Sequence, residues 1–178
     1  AGEAVERQAQ DLGAIRAISG VAGNWGPFRQ DTSMLWDWGS HDVAMCIDLM
    51  GRMPEQVTAA CVDARDGGET LALTLNFGDT KAHLSVGNLY SEKNRLFTIS
   101  FEKGELIYDD TLEGGDKVRL KTSPRDPGGT FKLDPGTPLE RAVIAFCDAI
   151  RRGAPEWDDA ALGAQVVGTL ARLDSTLA

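Results

Sequence analysis

Two apolar runs joined by a two-residue turn constrain the fold of this chain more than any other stretch. The runs cover residues 70–77 and 80–87, and the Gly-Asp dipeptide between them favours a tight antiparallel hairpin. The turn fixes the register, which pairs Phe77 with Thr80, Leu75 with Ala82, Leu73 with Leu84 and Leu71 with Val86. The paired side chains form a largely apolar face. The opposite face is mildly polar and carries Ala72, Thr74, Asn76, Lys81, His83 and Ser85, so the sequence predicts a sheet with helices on one side. His83 is predicted to be a surface or interface residue and not a catalyst.

The remaining pattern places this hairpin in an α+β domain. Helices are predicted at 3–12, 31–51, 137–153 and 158–177, and a strand at 14–22. After the second helix, strand-like runs at 56–64, 95–101, 105–109 and 117–122 join the hairpin in an antiparallel meander. The third helix begins with the capping box Thr137-Pro138-Leu139-Glu140, carries an apolar stripe and ends at Gly153. A Pro- and Gly-rich connection is predicted at 123–136.

Composition and charge argue against two classes of partner. The 178 residues fit one domain, and 42% hydrophobic with 25% charged residues is typical of a soluble globular protein. No apolar run approaches the length that spans a membrane. A formal net charge of −9 and a pI of about 4.7 argue against nucleic acid, because phosphate binding needs clustered Lys and Arg. We therefore expect neither nucleic acid nor a membrane as a main partner.

The cysteines indicate a reducing compartment. Cys46, Cys61 and Cys147 are odd in number, far apart and set among apolar residues, which predicts free buried thiols and neither disulfides nor metal ligands. We therefore expect a cytoplasmic protein without a metal site. The chain begins without Met and without a signal-like segment, and we expect it to be a fragment of a longer protein.

The stretch 31–51 holds most of the chemically useful side chains. Read as a helix with a cap at Gly51, it turns an apolar face to the core. If helical geometry reaches back to Asp37, then Asp37 and His41 lie four residues apart on one face, where the carboxylate can orient the imidazole and stabilise its charge for proton transfer. The alternative is that Asp37 or Ser40 caps the helix and that His41 has no chemical role. The spacing alone leaves both open.

The loop after the first strand, 23–32, carries large side chains that can line a site. Two Gly and one Pro exclude regular structure there, and the loop presents Asn24, Trp25, Phe28 and Arg29. Arg29 can bind an anionic or hydroxyl-rich ligand, or it can lie over Phe28 as an ordinary surface residue.

Four segments carry a further signal when they are taken together and in order. They are the loop GNWGPFR, the segment LWDWGSHDVAMCIDLMG, the strand pair ISFEKGELIYDD and the helix TPLERAVIAFCDAIRRGAP, and they span nearly the whole chain. In this combination the sequence resembles the C-terminal domain of the glucose-fructose oxidoreductase / inositol dehydrogenase / MocA family. The resemblance implies an open-faced, mostly antiparallel β-sheet with helices packed on one face. It also implies that residues 1–178 form one domain for substrate binding and for oligomerisation through the other face.

The resemblance further implies roles for individual residues. His41 would transfer the substrate proton and Asp37 would orient it. The substrate would be enclosed by Asn24, Trp25, Arg29, Trp36 and Trp38.

This sequence also departs from the family pattern. Members of the family carry an N-terminal Rossmann domain with a Gly-rich phosphate loop, followed by a Glu-Lys-Pro segment whose lysine works in the active site. No G-x-G-x-x-G follows a strand here, and Glu102-Lys103-Gly104 reads as a hairpin turn. We therefore expect NAD or NADP to be bound mainly by the absent domain, with no cofactor bound by this chain.

The expected function is that of the substrate-side half of an NAD(P)-dependent oxidoreductase. Its substrate would be a hydroxyl of a sugar, polyol or nucleotide sugar, and the chain alone would be inactive. The alternative is a non-catalytic binding or oligomerisation module that uses the open sheet face. A hydrolase built on Asp37 and His41 is disfavoured, because no nucleophile or metal-ligand set converges in the sequence. We expect a homo-oligomer.

Overall fold

The computed structural model of the protein describes residues 11–28, 31–112, 116–123, 125–131, 137–153 and 157–177. Within these ranges the chain forms one eight-stranded sheet and four helices, which confirms the α+β class. The strands are β1 Ile15–Trp25, β2 Gln56–Arg65, β3 Gly68–Phe77, β4 Thr80–Gly87, β5 Leu89–Phe101, β6 Gly104–Asp109, β7 Val118–Lys121 and β8 Gly129–Phe131. The helices are α1 Met34–Asp37, α2 Gly39–Met50, α3 Pro138–Arg152 and α4 Trp157–Asp174.

The strand order is β2-β3-β4-β1-β5-β6-β7-β8. Strand β1 lies between β4 and β5, parallel to β4 and antiparallel to β5, and every other pair in the sheet is antiparallel. The prediction of an uninterrupted meander is therefore wrong between β4 and β5. Chain order alone misses this insertion, because β1 is distant in sequence from both of its neighbours.

The central hairpin forms as the sequence predicts. β3 and β4 pair Phe77 with Thr80 and Leu71 with Val86, with the predicted pairs between them. Leu71, Leu73, Leu75 and Phe77 are fully buried on one face, and the opposite face remains exposed or half-buried within this chain. One buried and one open face confirm the open-faced sheet.

Three helices cover one half of the sheet. α1, α2 and α4 pack over β1–β4. α2 buries Val43, Cys46 and Ile47 and ends at Gly51, whose φ of 61° is the left-handed cap that the sequence predicts. α4 buries Val166, Leu170 and Leu173 on the same core. No described helix packs extensively over β5–β8, which we call the uncovered strands, although Phe97, Ile99 and Val118 on them are buried.

Helix α3 is well capped but leaves its apolar side exposed. The hydroxyl of Thr137 accepts a hydrogen bond from the backbone N–H of Glu140, the Glu140 carboxylate accepts one from the N–H of Thr137, and Gly153 caps the other end at a φ of 63°. Leu139, Val143, Ile144, Phe146 and Ile150 are each more than half exposed. The helix makes no extensive contact with another described element.

Several smaller predictions are corrected. Strand β1 continues through Trp25, so the predicted loop is shorter at its start, and the connection at 123–136 contains β8. Of the three cysteines predicted to be buried, Cys46 is buried, Cys61 is exposed on the edge strand β2 and Cys147 is half-buried on α3. Most of the predicted helix at 3–12 lies outside the described residues. No helix in the described part of the chain is long and apolar enough to cross a membrane.

Candidate functional site

Helical backbone continues through the D-x-x-x-H segment. Trp38, the residue between α1 and α2, has φ −83° and ψ −38°, which are ordinary right-handed helical values. Asp37 and His41 therefore stand one helical turn apart, as the sequence predicts. His41 is exposed in the first turn of α2, and Asp37 is half-buried at the end of α1.

The side chains of these two residues do not touch. Across the described residues, no hydrogen bond or ion pair joins Asp37 to His41. The prediction that Asp37 or Ser40 caps the helix is wrong, because neither helix start has a side-chain cap of its own and the Ser40 hydroxyl donates to the carbonyl of Asp37 at 3.0 Å. The alternative that His41 has no chemical role stays open. The first N–H of α1, on Met34, donates instead to the Glu69 carboxylate at 2.7 Å. The proton-transfer roles of Asp37 and His41 remain predictions.

The residue after His41 forms a buried ion pair. Asp42 is 2% exposed, and its Oδ1 lies 3.2 Å from Nη1 of Arg95 on β5. Its other oxygen, Oδ2, is buried without a hydrogen bond. Gly20 makes the space for this carboxylate, since a Cβ there would lie 3.2 Å from Asp42 Oδ2 and 2.9 Å from Leu84 Cδ2. Burial raises the pKa of Asp42, and the charges of Arg95 and His41 only partly oppose it.

Arg95 links this pair to a second polar group. Its guanidinium lies over the indole of Trp38, 5.9 Å from the ring centroid. On β6, burial together with the charge and hydrogen bond of Asp110 raises the pKa of Tyr108 to about 12, while Arg95 acts in the opposite direction. Tyr108 is therefore a neutral hydrogen-bond donor near neutral pH.

Asp110 is the acceptor in this second group. Its Oδ1 lies 2.6 Å from Nζ of Lys117. Burial alone would raise its pKa, but the hydrogen bonds from Lys117 and Tyr108 outweigh burial and lower the pKa. Together, Asp42, Arg95, Tyr108, Asp110 and Lys117 form a polar cluster that reaches from the start of α2 toward the uncovered strands. We call these five residues the α2–β6 cluster.

The predicted substrate-enclosing residues divide between two places. Trp38 lies against the α2–β6 cluster. Trp25 lies instead at the end of β1, where its ring meets Phe28 edge to face at 5.5 Å and Arg65 lies 6.0 Å from it. Asn24, next to it, is half-buried with its Oδ1 unpaired.

The other two residues predicted to enclose the substrate are Trp36 and Arg29. Trp36 is exposed, and Arg29 is outside the described residues. In the part of the chain that the structure covers, no ring contact or hydrogen bond brings Trp25 or Trp36 to His41.

A cavity lies near the end of β1. Its volume is about 410 Å³, and it is lined by the start of α1, the β2–β3 turn and the buried Asn88. Asn88 accepts from the N–H of Glu69 and donates to the carbonyl of Pro27, so its amide is occupied in holding the surrounding loops. No group of three or more His, Cys, Asp or Glu among the described residues could hold a metal ion.

A comparison with known protein families shows which family this chain belongs to. The sequence profile of the GFO/IDH/MocA C-terminal domain matches residues 6–107, more than half of the chain. The chain belongs to this family. The resemblance that the four sequence segments indicated is confirmed. No curated protein matches the sequence.

Solved structures share the fold of this GFO/IDH/MocA domain. A protein from Magnetospirillum magnetotacticum MS-1, named as an oxidoreductase, is 35% identical over 96% of this chain, with a TM-score of 0.82. UDP-N-acetylglucosamine 3-dehydrogenase GnnA from Acidithiobacillus ferrooxidans is 19% identical over 98%, with a TM-score of 0.81. The 3-ketoreductase KijD10 from Actinomadura kijaniata, solved with NADP, is 16% identical over 97%, with a TM-score of 0.74. This chain spans 58%, 57% and 57% of their respective lengths.

Sequence reasoning missed Asp42 and Arg95 in this GFO/IDH/MocA domain, although a signal was present. Asp42 lies four residues before Cys46, on the apolar face of α2. Arg95 alternates with Phe97 and Ile99 on the buried face of β5. Opposite charges at two positions where the pattern calls for apolar residues indicate a buried pair.

Proposed function

We propose that this chain is the substrate-side domain of an NAD(P)-dependent oxidoreductase. The substrate would be a sugar, a polyol or a nucleotide sugar, and the reacting group would be one of its hydroxyls. His41 exchanges the hydroxyl proton, and the hydride passes between the substrate carbon and a nicotinamide cofactor that a separate dinucleotide-binding domain holds.

The position of His41 is the observation that carries this proposal. Its imidazole is exposed in the first turn of α2, next to a residue whose side chain reaches Arg95 on β5. A ligand lying over the uncovered strands would therefore meet His41 at its edge. Membership of the family and the two neighbours named for sugar-nucleotide or keto chemistry support the same reading.

Asp37 is proposed to orient His41 when substrate is bound. The two residues stand one helical turn apart and do not touch in the structure. Catalytic hydrogen bonds are often long or absent without ligand and tighten in the complex. Side chains four residues apart on a helix are neighbours, so a different rotamer of Asp37 can bring its carboxylate toward the imidazole.

Two helix starts in the described part of the chain do not fit a dinucleotide phosphate. A helix N-terminus binds phosphate through its free N–H groups and its positive dipole end. The start of α1 already donates to the Glu69 carboxylate, and the start of α3 holds the Glu140 carboxylate of its capping box. Both acidic groups would repel a phosphate, which supports placing the cofactor on another domain.

The test compares the two histidines of the chain in the oxidoreductase that carries this domain. His41→Ala is expected to lower kcat by about 100-fold or more, the usual loss when a general acid/base is removed. His83→Ala is the matched control, because His83 is exposed on the opposite sheet face, where its imidazole hydrogen-bonds to Thr74 at 3.2 Å. Asp37→Asn should lower kcat less than His41→Ala but more than the control. Equal turnover in the His41 and His83 variants would overturn the proposal.

The open sheet face supports a second role, in homo-oligomer formation. This face is broad and weakly polar, with Ala72 and His83 exposed and Thr74 and Ser85 half-buried. Val62 on β2 is 60% exposed nearby. Mostly small side chains, with Lys81 as an exposed charge, leave this face available for self-association, and we propose that a second copy of this domain covers it.

A further inference from the structure

Arg95 has more hydrogen-bond donors than the folded chain uses. Its side chain is only 17% exposed, and its one ion-pair contact, Nη1 to Asp42 Oδ1 at 3.2 Å, does not have hydrogen-bond geometry. None of its five N–H groups donates to a described residue. A largely buried donor without an acceptor costs free energy, so such a group in a folded protein calls for an explanation.

The guanidinium is nevertheless held in place from two sides. On one side the carboxylate of Asp42, in the first turn of α2, attracts it. On the other side the Trp38 ring lies with its centroid 5.9 Å from the guanidinium carbon. A side chain at residue 20 would crowd the carboxylate, because a Cβ there would lie 3.2 Å from Asp42 Oδ2. An arginine fixed by a buried acid and an aromatic ring is pre-organised to receive a ligand, since little side-chain entropy is left to lose.

The surroundings favour a neutral hydroxyl-bearing ligand over an anion. Arg95 is balanced by Asp42, and Lys117 by Asp110. A neutral hydroxyl can accept from the guanidinium and also donate to a carboxylate oxygen, whereas a phosphate adds negative charge beside Asp42. Asp42 Oδ2 lacks a donor and Arg95 lacks an acceptor, so the pair as a whole needs a ligand group that does both.

We propose that Arg95 binds a hydroxyl oxygen of the substrate over the uncovered strands, with Asp42 and Trp38 as its positioning residues. This inference rests on the proposed function and names a contact that the D-x-x-x-H segment does not supply. Arg95 then fixes the polyol on the side of His41 that faces β5, so that one hydroxyl is bound by Arg95 while another meets the imidazole.

Binding to this chain can be followed by NMR without any hydride transfer. The ¹⁵N-labelled chain is titrated separately with myo-inositol, D-glucose, UDP-N-acetylglucosamine and inorganic phosphate, and the indole N–H of Trp38 and the Nε–H of Arg95 are observed. We expect saturable shifts of both signals with at least one hydroxyl-bearing probe and none with phosphate. The indole of Trp25, at the end of β1, serves as the internal reference.

Two variants test the role of the guanidinium. Arg95→Lys keeps the charge but loses the planar fork and the stacking, and should weaken binding about tenfold or more. Arg119→Lys is the matched control, because Arg119 is a β7 arginine whose own partner, Asp109, lies 4.0 Å away, and binding should be unchanged.

Asp42→Asn tests positioning. It should weaken binding several-fold while the dispersion of the NMR spectrum stays that of the folded parent. If Asp42 served only to stabilise the fold, binding would weaken only together with a loss of dispersion.

Each other outcome overturns the inference. Unchanged affinity in Arg95→Lys, saturable shifts that avoid Arg95 and Trp38, shifts with phosphate alone, or no saturable shift with any probe at millimolar concentration would all exclude Arg95 as a hydroxyl-binding residue. Failure of the proposed function has a different signature, namely unchanged turnover in His41→Ala. The two results are therefore separable, because one measures binding and the other measures the reaction.

Discussion

Two phenylalanines of the same chain should respond very differently to truncation. Phe77 on β3 is 0% exposed in the main core, whereas Phe146 on α3 is 66% exposed. Removing a fully buried Phe side chain takes away its transfer free energy and leaves a cavity, so Phe77→Ala should lower the free energy of unfolding by about 3–5 kcal/mol. For a chain of this length that corresponds to a drop in Tm of about 6–20 °C.

Phe146→Ala should have almost no effect on stability. Most of its ring is already in water, so little apolar burial is lost on truncation. Alanine also favours helix over phenylalanine by about 0.5 kcal/mol, which offsets the remaining loss. We therefore expect a change of less than about 0.5 kcal/mol.

Equilibrium urea unfolding of the parent and both variants provides the measurement, with tryptophan fluorescence and circular dichroism as independent probes. The two variants must be compared at low protein concentration, so that association through α3 does not add stability. A loss of more than about 1.5 kcal/mol in Phe146→Ala would refute the reasoning, because it would mean that the apolar side of α3 is packed in the free chain. A loss below about 1 kcal/mol in Phe77→Ala would refute the placement of the core.

Two further predictions follow from the buried acid and from the open sheet face. Because burial raises the pKa of Asp42, the folded parent loses stability as pH rises from 3.8 through that raised pKa. Asp42→Asn lacks this loss, so the difference in unfolding free energy should move in favour of the variant as pH rises, which parallel urea series at acidic and neutral pH would measure. A stability difference that does not change with pH would contradict it. If the open face joins two copies, Ala72→Arg should give a monomer by light scattering, whereas Ala160→Arg, exposed on α4, should leave the oligomer intact. A monomeric parent would exclude this interface.

The elements that could be predicted from the sequence are those set by short-range geometry. The Gly-Asp turn at 78–79 fixes the β3–β4 register, because a two-residue connection leaves only one pairing that keeps one face apolar. The capping box at Thr137 and the glycine at 153 fix both ends of α3 for the same local reason. Such features depend on residues a few positions apart, and tertiary packing seldom overrides them.

Features that join distant parts of the chain escaped prediction. Strand β1 pairs with β4 in parallel, and parallel strands are not joined by a short turn that could be recognised in the sequence. Its central position is visible only afterwards, in the small residues Gly20 and Ala22 that lie against neighbouring elements. The D-x-x-x-H spacing correctly predicted that Asp37 and His41 lie one helical turn apart. Spacing could not show that no hydrogen bond or ion pair joins their side chains in the described structure.

The buried pair of Asp42 and Arg95 joins these observations to function. Burial disfavours the charged form of Asp42 and so lowers the stability of the fold, and a Cβ at Gly20 would crowd this carboxylate at 3.2 Å. An apolar residue at position 42 would extend the core of α2 but would leave the largely buried Arg95 without its counter-charge. Natural sequences accept a local loss of this kind mainly at sites that bind or react, where the group is needed in its unfavourable state. The residue beside His41 that weakens the fold is therefore the one that holds Arg95 ready for a ligand.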